Sequence, residues 1–250
     1  MFEAGGLTMK ASRTIIPVKN RILAALPDEE YERLRPQLEL VTLRQADTIY
    51  HPGDAIRYVY FPLDAILSII VILENGNTVE VCFVGNEGMA GFVIVLESNT
   101  SFHQVMVQVE GTAFRMSAEA LRRECKQCTP LQTILLRYIM ALHVFSTQSV
   151  ACGRLHTIEE RLCRWLLALQ DRTERDEFEL TQELIAAMLG TQRSGVTLAA
   201  SALQRAGLIS YKRGKITILD REGLEKTSCE CYRVVKEQFD RFLSKIEHIV

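Results

Sequence analysis

No uninterrupted apolar run in this 250-residue chain approaches the ~20 residues needed to cross a bilayer. The longest, AILSIIVIL from Ala65 to Leu73, is short and β-branched and reads as a buried strand. The N-terminal stretch MFEAGGLTMKASRT lacks the basic-then-apolar order of an export signal, so a loose tail and a cytoplasmic chain with no membrane partner are expected. An excess of charge of one sign is also lacking: 29 Lys and Arg face 31 Asp and Glu, so only the distribution of charge can point to a partner. The seven cysteines are an odd number, which fits buried thiols rather than a disulfide framework. No acid pair, Ser/His/Asp order or Gly-Lys-Ser loop stands in a suitable context, which argues against an enzyme. The glycine-spaced loop FVGNEGMAGF (83–92) has a backbone suited to approaching a phosphate but no lysine after it.

What is present changes texture along the chain. Asn20 to Val41 has helical spacing, with Pro27 and the acids Asp28, Glu29 and Glu30 suited to a helix start. From about Leu43 to Met116, short runs of Val, Ile, Tyr and Phe alternate with turn signals such as HPGD (51–54), ENGN (74–77) and GNEG (85–88). Regular short strands of this kind predict one β domain, a small sandwich, barrel or roll. Beyond Pro130 a long apolar helix follows, with Leu131, Leu135, Tyr138, Leu142, Phe145, Ser149 and Cys152 in alternating steps of four and three. That spacing suits either a coiled-coil seam between two copies or packing against the chain's own β domain. The segment that follows favours the seam, so Leu131, Leu135, Tyr138, Leu142, Phe145 and Ser149 are the expected dimer interface. Thr157 and Glu160 make a capping box that opens a new helix, leaving GRLH (153–156) as a hinge.

Leu180 to Asp220 carries the functional signal. Thr181 caps a short helix with Leu184, Ile185, Met188 and Leu189 inward, and Gly190 ends it. A second helix runs to about Ala206 with Val196, Ala199, Ala200 and Leu203 inward, and LISYKRGKITIL folds back around Arg213-Gly214 as a hairpin. Helix, glycine turn, helix and basic hairpin spell a winged helix-turn-helix. From Leu184 to Leu219 there is no acidic residue, while Arg193, Arg205, Lys212, Arg213 and Lys215 are basic. An acid-free stretch of this length is the electrostatic footprint of a phosphate backbone. The expected DNA contacts are Thr181, Thr191, Gln192, Arg193, Ser194, Thr197, Lys212, Arg213 and Lys215. Arg193 and Gln192 suit base edges, because arginine pairs bidentately with guanine and glutamine with adenine. Thr191, Ser194 and the wing residues suit phosphates.

In this order of elements, around HPGD, RLCRWLLAL and MLGTQRSGVTLAASALQRAGLI, the chain resembles the CRP/FNR family of bacterial transcription regulators over roughly residues 20 to 230. The resemblance implies an α+β fold: an N-terminal antiparallel, jelly-roll-like β-roll sensor, a long dimerisation helix and a C-terminal winged helix-turn-helix. It divides the chain into a tail (1–19), a sensor (20–128), the dimerisation helix and hinge (129–155) and a DNA-binding domain with a C-terminal helix (156–250). It implies a homodimer on two-fold symmetric double-stranded DNA, with RNA polymerase as a further partner. Family members that bind cyclic nucleotides hold the ribose with a glutamate after the cassette glycine and the phosphate with an Arg-Ser or Arg-Thr pair. Here Gly91 matches the glycine, but Phe92 and His103-Gln104 replace those anchors. A hydrogen bond to a charged group is worth about 1.5–3 kcal/mol, so the pocket at Gly91, Phe92, His103 and Gln104 is expected to be degenerate. Gating by a cyclic nucleotide, or by redox of the C-x-x-C pair Cys125 and Cys128, stays open as an alternative, as does a ligand-sensing module that binds no DNA. Cys229-x-Cys231 on a C-terminal helix is expected to face two ways, the histidines show no ligand spacing, and no metal or cofactor is expected.

Overall fold

The computed structural model describes residues 19–127 and 129–244. Most of the expected tail, Cys128 of the C-x-x-C pair and His248 lie outside the described residues. Two short helices, α1 (Arg21–Ala24) and α2 (Asp28–Leu34), open the described chain. The Asn20 side chain accepts from the Leu23 N–H and donates to the carbonyls of Pro62 and Gly88, which pins this entry to the β domain. The helical spacing read through Val41 ends sooner, since Leu38 is already extended and a strand starts at Glu39.

The strands β1 (Glu39–Leu43), β2 (Thr48–Tyr50), β3 (Tyr58–Pro62), β4 (Ile66–Ile72), β5 (Thr78–Val84), β6 (Gln104–Val109) and β7 (Gly111–Ser117) build two antiparallel sheets, ordered β1-β7-β3 and β2-β6-β4-β5. Their buried faces include Val59, Phe61, Ile66, Leu67, Phe83, Val84 and Val107. The turn at Asn75-Gly76 joins β4 to β5 with Ile72 opposite Thr78. This is the antiparallel β-roll of an α+β chain.

Helices α3 (Ala118–Gln127) and α4 (Thr129–Leu155) lead out of the roll. By length and composition Pro130–Leu155 is apolar enough to cross a bilayer, which a search for uninterrupted runs passes over because Arg137 and His143 interrupt it. One side of α4 is covered by the chain itself. Leu131, Leu135, Tyr138, Leu142, Phe145 and Cys152 are buried and Ser149 is half-buried. Phe145 meets Phe83 of β5 edge-on at 5.2 Å, and Tyr138 lies near Phe239 and Phe242 of the C-terminal helix. The expected dimer seam is therefore corrected: Leu131, Leu135, Tyr138, Leu142 and Phe145 close the core of their own chain, and Ser149 of that set stays half-buried. The helix carries a second four–three stripe, Leu136, Met140, His143, Thr147, Val150 and Arg154, and this one is exposed. Spacing does not rank two such stripes. The one with two aromatic rings has more apolar area to remove from water and turns inward.

Thr157 and Glu160 form the capping box at the start of α5 (Ile158–Thr173). The charged stretch DRTERDEFE (171–179) holds β8 (Glu177–Glu179), too short to show alternation beyond the buried Phe178. It completes a sheet β8-β10-β9 with β9 (Ile209–Lys212) and β10 (Lys215–Ile218). Arg213 and Gly214, at φ +52 and +79, make the two-residue turn between β9 and β10. Between them in sequence lie α6 (Gln182–Leu189) and α7 (Arg193–Arg205), and after them α8 (Arg221–Thr227) and α9 (Cys231–Ser244). Ser228 is extended between α8 and α9. The expectation that Cys229 and Cys231 sit on one helix and face apart is thus corrected: Cys229 precedes the helix, and both thiols are buried with Cys152 of α4.

Candidate nucleic-acid interface and sensor pocket

Thr181 caps α6, its hydroxyl accepting from the Leu184 N–H at 3.2 Å, and Gly190 ends the helix. Val196, Ala199, Ala200 and Leu203 seat α7 on the core. That anchoring turns Gln192, Arg193, Ser194 and Thr197 outward at the start of α7, with Thr191 half-buried beside them. Lys212, Arg213 and Lys215 stand exposed on the hairpin, and Thr181 is exposed between the two groups. The structure also supplies what an acid-free stretch hides. Glu183 pairs with Arg193 at 2.8 Å, and Glu177 of β8 pairs with Lys215 at 2.6 Å and raises its pKa. Gln182 accepts from the Thr197 hydroxyl at 2.9 Å. Leu198, 73% exposed on the same helix, is an outward apolar side chain that the inward pattern gave no reason to single out.

In the sensor, Gly91 at φ +87 leads into a short 3-10 turn, Phe92–Leu96, with Phe92 half-buried against the core. His103 and Gln104 are half-buried at the start of β6. Tyr50 stands between these two segments. Its backbone lies opposite Val105 of β6, and its hydroxyl would sit 2.8 Å from a Cβ placed on Gly91. The Tyr50 hydroxyl donates to the Tyr58 carbonyl at 2.6 Å, and burial pushes its pKa well above that of a free tyrosine. An aromatic ring therefore occupies the ground next to the cassette glycine. No reading of the glycine spacing alone shows this.

The same loop is a junction with the rest of the chain. The Tyr138 hydroxyl of α4 donates to the Met89 carbonyl at 3.1 Å, and a Cβ on Gly88 would lie 2.3 Å from it, so this helix approaches the loop as closely as glycine allows. Glu87 accepts from the Gly85 N–H and faces Arg172 of α5 at 2.9 Å, both side chains buried. Arg172 lies over the rings of Phe83, Phe145 and Phe239. A second link runs through Glu80 of β5, which accepts from Trp165 Nε1 of α5 at 3.0 Å, Ser68 Oγ at 2.6 Å and Gln108 Nε2 at 2.9 Å. Burial pushes the Glu80 pKa up to about 7 against the pull of those bonds and of Arg164. Glu80, Glu87, Trp165 and Arg172 all escape sequence reasoning. The one available signal is an acid inside an apolar strand, TVEVCFV.

Residues 160–227 match the Crp-like helix-turn-helix domain and residues 40–128 match the cyclic nucleotide-binding domain. The global nitrogen regulators of Nostoc sp. and Synechocystis sp. are 23% identical over 187 residues (71% of this chain, 83% of theirs) and 22% identical over 209 residues (80% and 92%). FixK2 from Bradyrhizobium japonicum shares the fold with a TM-score of 0.63 at 15% identity, covering 77% of this chain and 98% of its own. The c-di-GMP-responsive global regulator CLP of Xanthomonas campestris does so with a TM-score of 0.60 at 15% identity, covering 78% of this chain and all of its own. With a cyclic nucleotide-binding domain followed by a Crp-like helix-turn-helix on this common fold, the chain is a transcription regulator of the CRP/FNR type.

Proposed function

We propose that the chain is a homodimeric, sequence-specific DNA-binding regulator whose α7 enters the major groove and whose sensor does not hold a cyclic nucleotide in the family's usual way. The observation that carries the first part is the exposed N-terminal end of α7, where Gln192, Arg193, Ser194 and Thr197 face out while the opposite face is buried. Arg193 and Gln192 read base edges, Leu198 lies against a thymine methyl, and Thr181, Thr191, Ser194, Lys212, Arg213 and Lys215 hold phosphates. The second copy joins through the outward stripe of α4, at Leu136, Met140 and Val150. The two recognition helices then meet half-sites about 34 Å apart.

Tyr50 beside Gly91, together with Phe92, His103 and Gln104 in place of charged anchors, supports the second part. On this reading the domains are the sensor (20–128), the dimerisation helix and hinge (129–155) and the DNA-binding domain (156–250). RNA polymerase is a further partner, the place is the cytoplasm, and no reaction is catalysed. Band shifts on a selected operator test the DNA contacts: Arg193→Ala costs about 1–3 kcal/mol at one base position, and unchanged binding overturns the assignment. Calorimetry with cyclic AMP and cyclic GMP tests the sensor, and sub-micromolar binding of either contradicts the reading.

A further inference from the structure

Three thiols and one imidazole converge where the long helix ends. Cys152 stands in the last turn of α4 and His156 just beyond its end, while Cys229 lies in the break between α8 and α9 and Cys231 opens α9. Their ligand atoms all lie within 4.8 Å of one another. The Cys152 and Cys229 sulfurs are 3.5 Å apart, and Cys231 Sγ is 3.6 Å from His156 Nδ1. All three cysteines are buried.

We propose that these four residues form a closed Cys3His site for one thiophilic divalent ion of the zinc class. The spacing decides between a single ion and a larger cluster. Four ligands around one zinc, with a Zn–S bond of about 2.3 Å, stand roughly 3.7 Å apart in a tetrahedron. The 3.5 and 3.6 Å separations fit that figure, and the 4.8 Å limit on all the others leaves no room for the wider spread of ligands around several irons. The surroundings are those of a metal centre as well. Glu230 faces His156 Nε2 at 3.1 Å, the carboxylate–imidazole arrangement that leaves Nδ1 free to ligate. Gln148 Nε2 donates to Cys231 Sγ at 3.1 Å. Four protein ligands leave no open position, so the ion is structural rather than catalytic.

Binding moves no electron. Each ligating thiol exchanges its S–H bond for an S–metal bond and gives its proton to solvent. The ion fastens the last turn of α4 to the α8–α9 junction, immediately before the turn at Thr157 where α5 begins.

The test uses the full chain under reductant. Elemental analysis is expected to give one zinc per chain, and cobalt added to the metal-free chain is expected to give tetrahedral bands with thiolate charge transfer at one equivalent. Cys152→Ser, Cys229→Ser and Cys231→Ser remove the charge-transfer signal, whereas Cys163→Ser keeps it. Glu230→Gln alters a largely exposed side chain outside the ligand set, so it tests the site in a folded chain. It weakens zinc binding about 10–100-fold. A reduced chain that takes up neither metal overturns the proposal. So does cobalt absorption that persists in Cys229→Ser, or a Cys152–Cys229 disulfide formed on mild oxidation in a chain that binds no zinc.

Discussion

Arg172 of α5 and Glu87 of the loop after β5 face each other at 2.9 Å, with both side chains out of solvent. One belongs to the segment matched as helix-turn-helix and the other to the segment matched as sensor. The pair is held by charge more than by an aligned hydrogen bond, since the Arg172 Nε–H finds no well-directed acceptor. Removing one member strands a buried charge, so Glu87→Ala is expected to cost about 3–5 kcal/mol in denaturant unfolding. The double variant Glu87→Gln with Arg172→Met recovers most of that loss. A Glu87→Ala chain as stable as wild type contradicts the account of this junction.

Glu80 gives the junction a pH dependence. Its pKa is raised by burial to about 7 from an ordinary 4.5. The folded chain therefore keeps a proton that the unfolded chain releases. The associated stability is fully present below about pH 4.5 and is lost as pH rises through about 7. Thermal unfolding across that window is expected to show wild type losing stability relative to Glu80→Gln. Parallel curves for the two proteins contradict it.

Glu183 restrains Arg193, the arginine proposed to read base edges. The Arg193–Glu183 pair is about two-thirds exposed, so it is worth only about 0.2–1 kcal/mol. Glu183→Gln frees Arg193 and removes a negative charge near phosphates, and a severalfold rise in operator affinity is expected. Lys212→Ala, by contrast, weakens all sequences alike and lowers the slope of affinity against salt.

The outward stripe of α4 predicts an asymmetry between neighbouring positions. Met140 is 63% exposed and Val150 69% exposed, whereas Leu142 is buried. Met140→Lys is expected to yield folded monomers in analytical ultracentrifugation. Leu142→Lys, by burying a charge, unfolds the chain instead. Dimers that survive Met140→Lys place the interface elsewhere.

Local signals were legible in the residues themselves. The Thr157–Glu160 capping box, the Arg213-Gly214 turn and the inward faces of α6 and α7 each follow from side-chain chemistry within a few positions. What stayed hidden depends on distant pairing. The inward stripe of α4 reads from its spacing and context as a dimer seam, and only its packing, with Phe83 and Phe239 against Phe145, shows that it belongs to the chain's own core. Glu183 lies one residue outside the acid-free stretch, yet helix geometry lays it against Arg193. Cys152 and Cys229 are 77 residues apart, and their meeting depends on the break at Ser228. Tyr50 beside Gly91 is likewise a product of sheet pairing, invisible in the glycine spacing of the loop.

Selection of duplexes from a random pool by the purified full chain tests the central claim most directly. The account predicts a two-fold symmetric sequence with half-sites about 34 Å apart, and Arg193→Ala relaxing the preference at one base pair in each half. A pool with no enriched sequence, or an enriched site that Arg193→Ala binds unchanged, contradicts it.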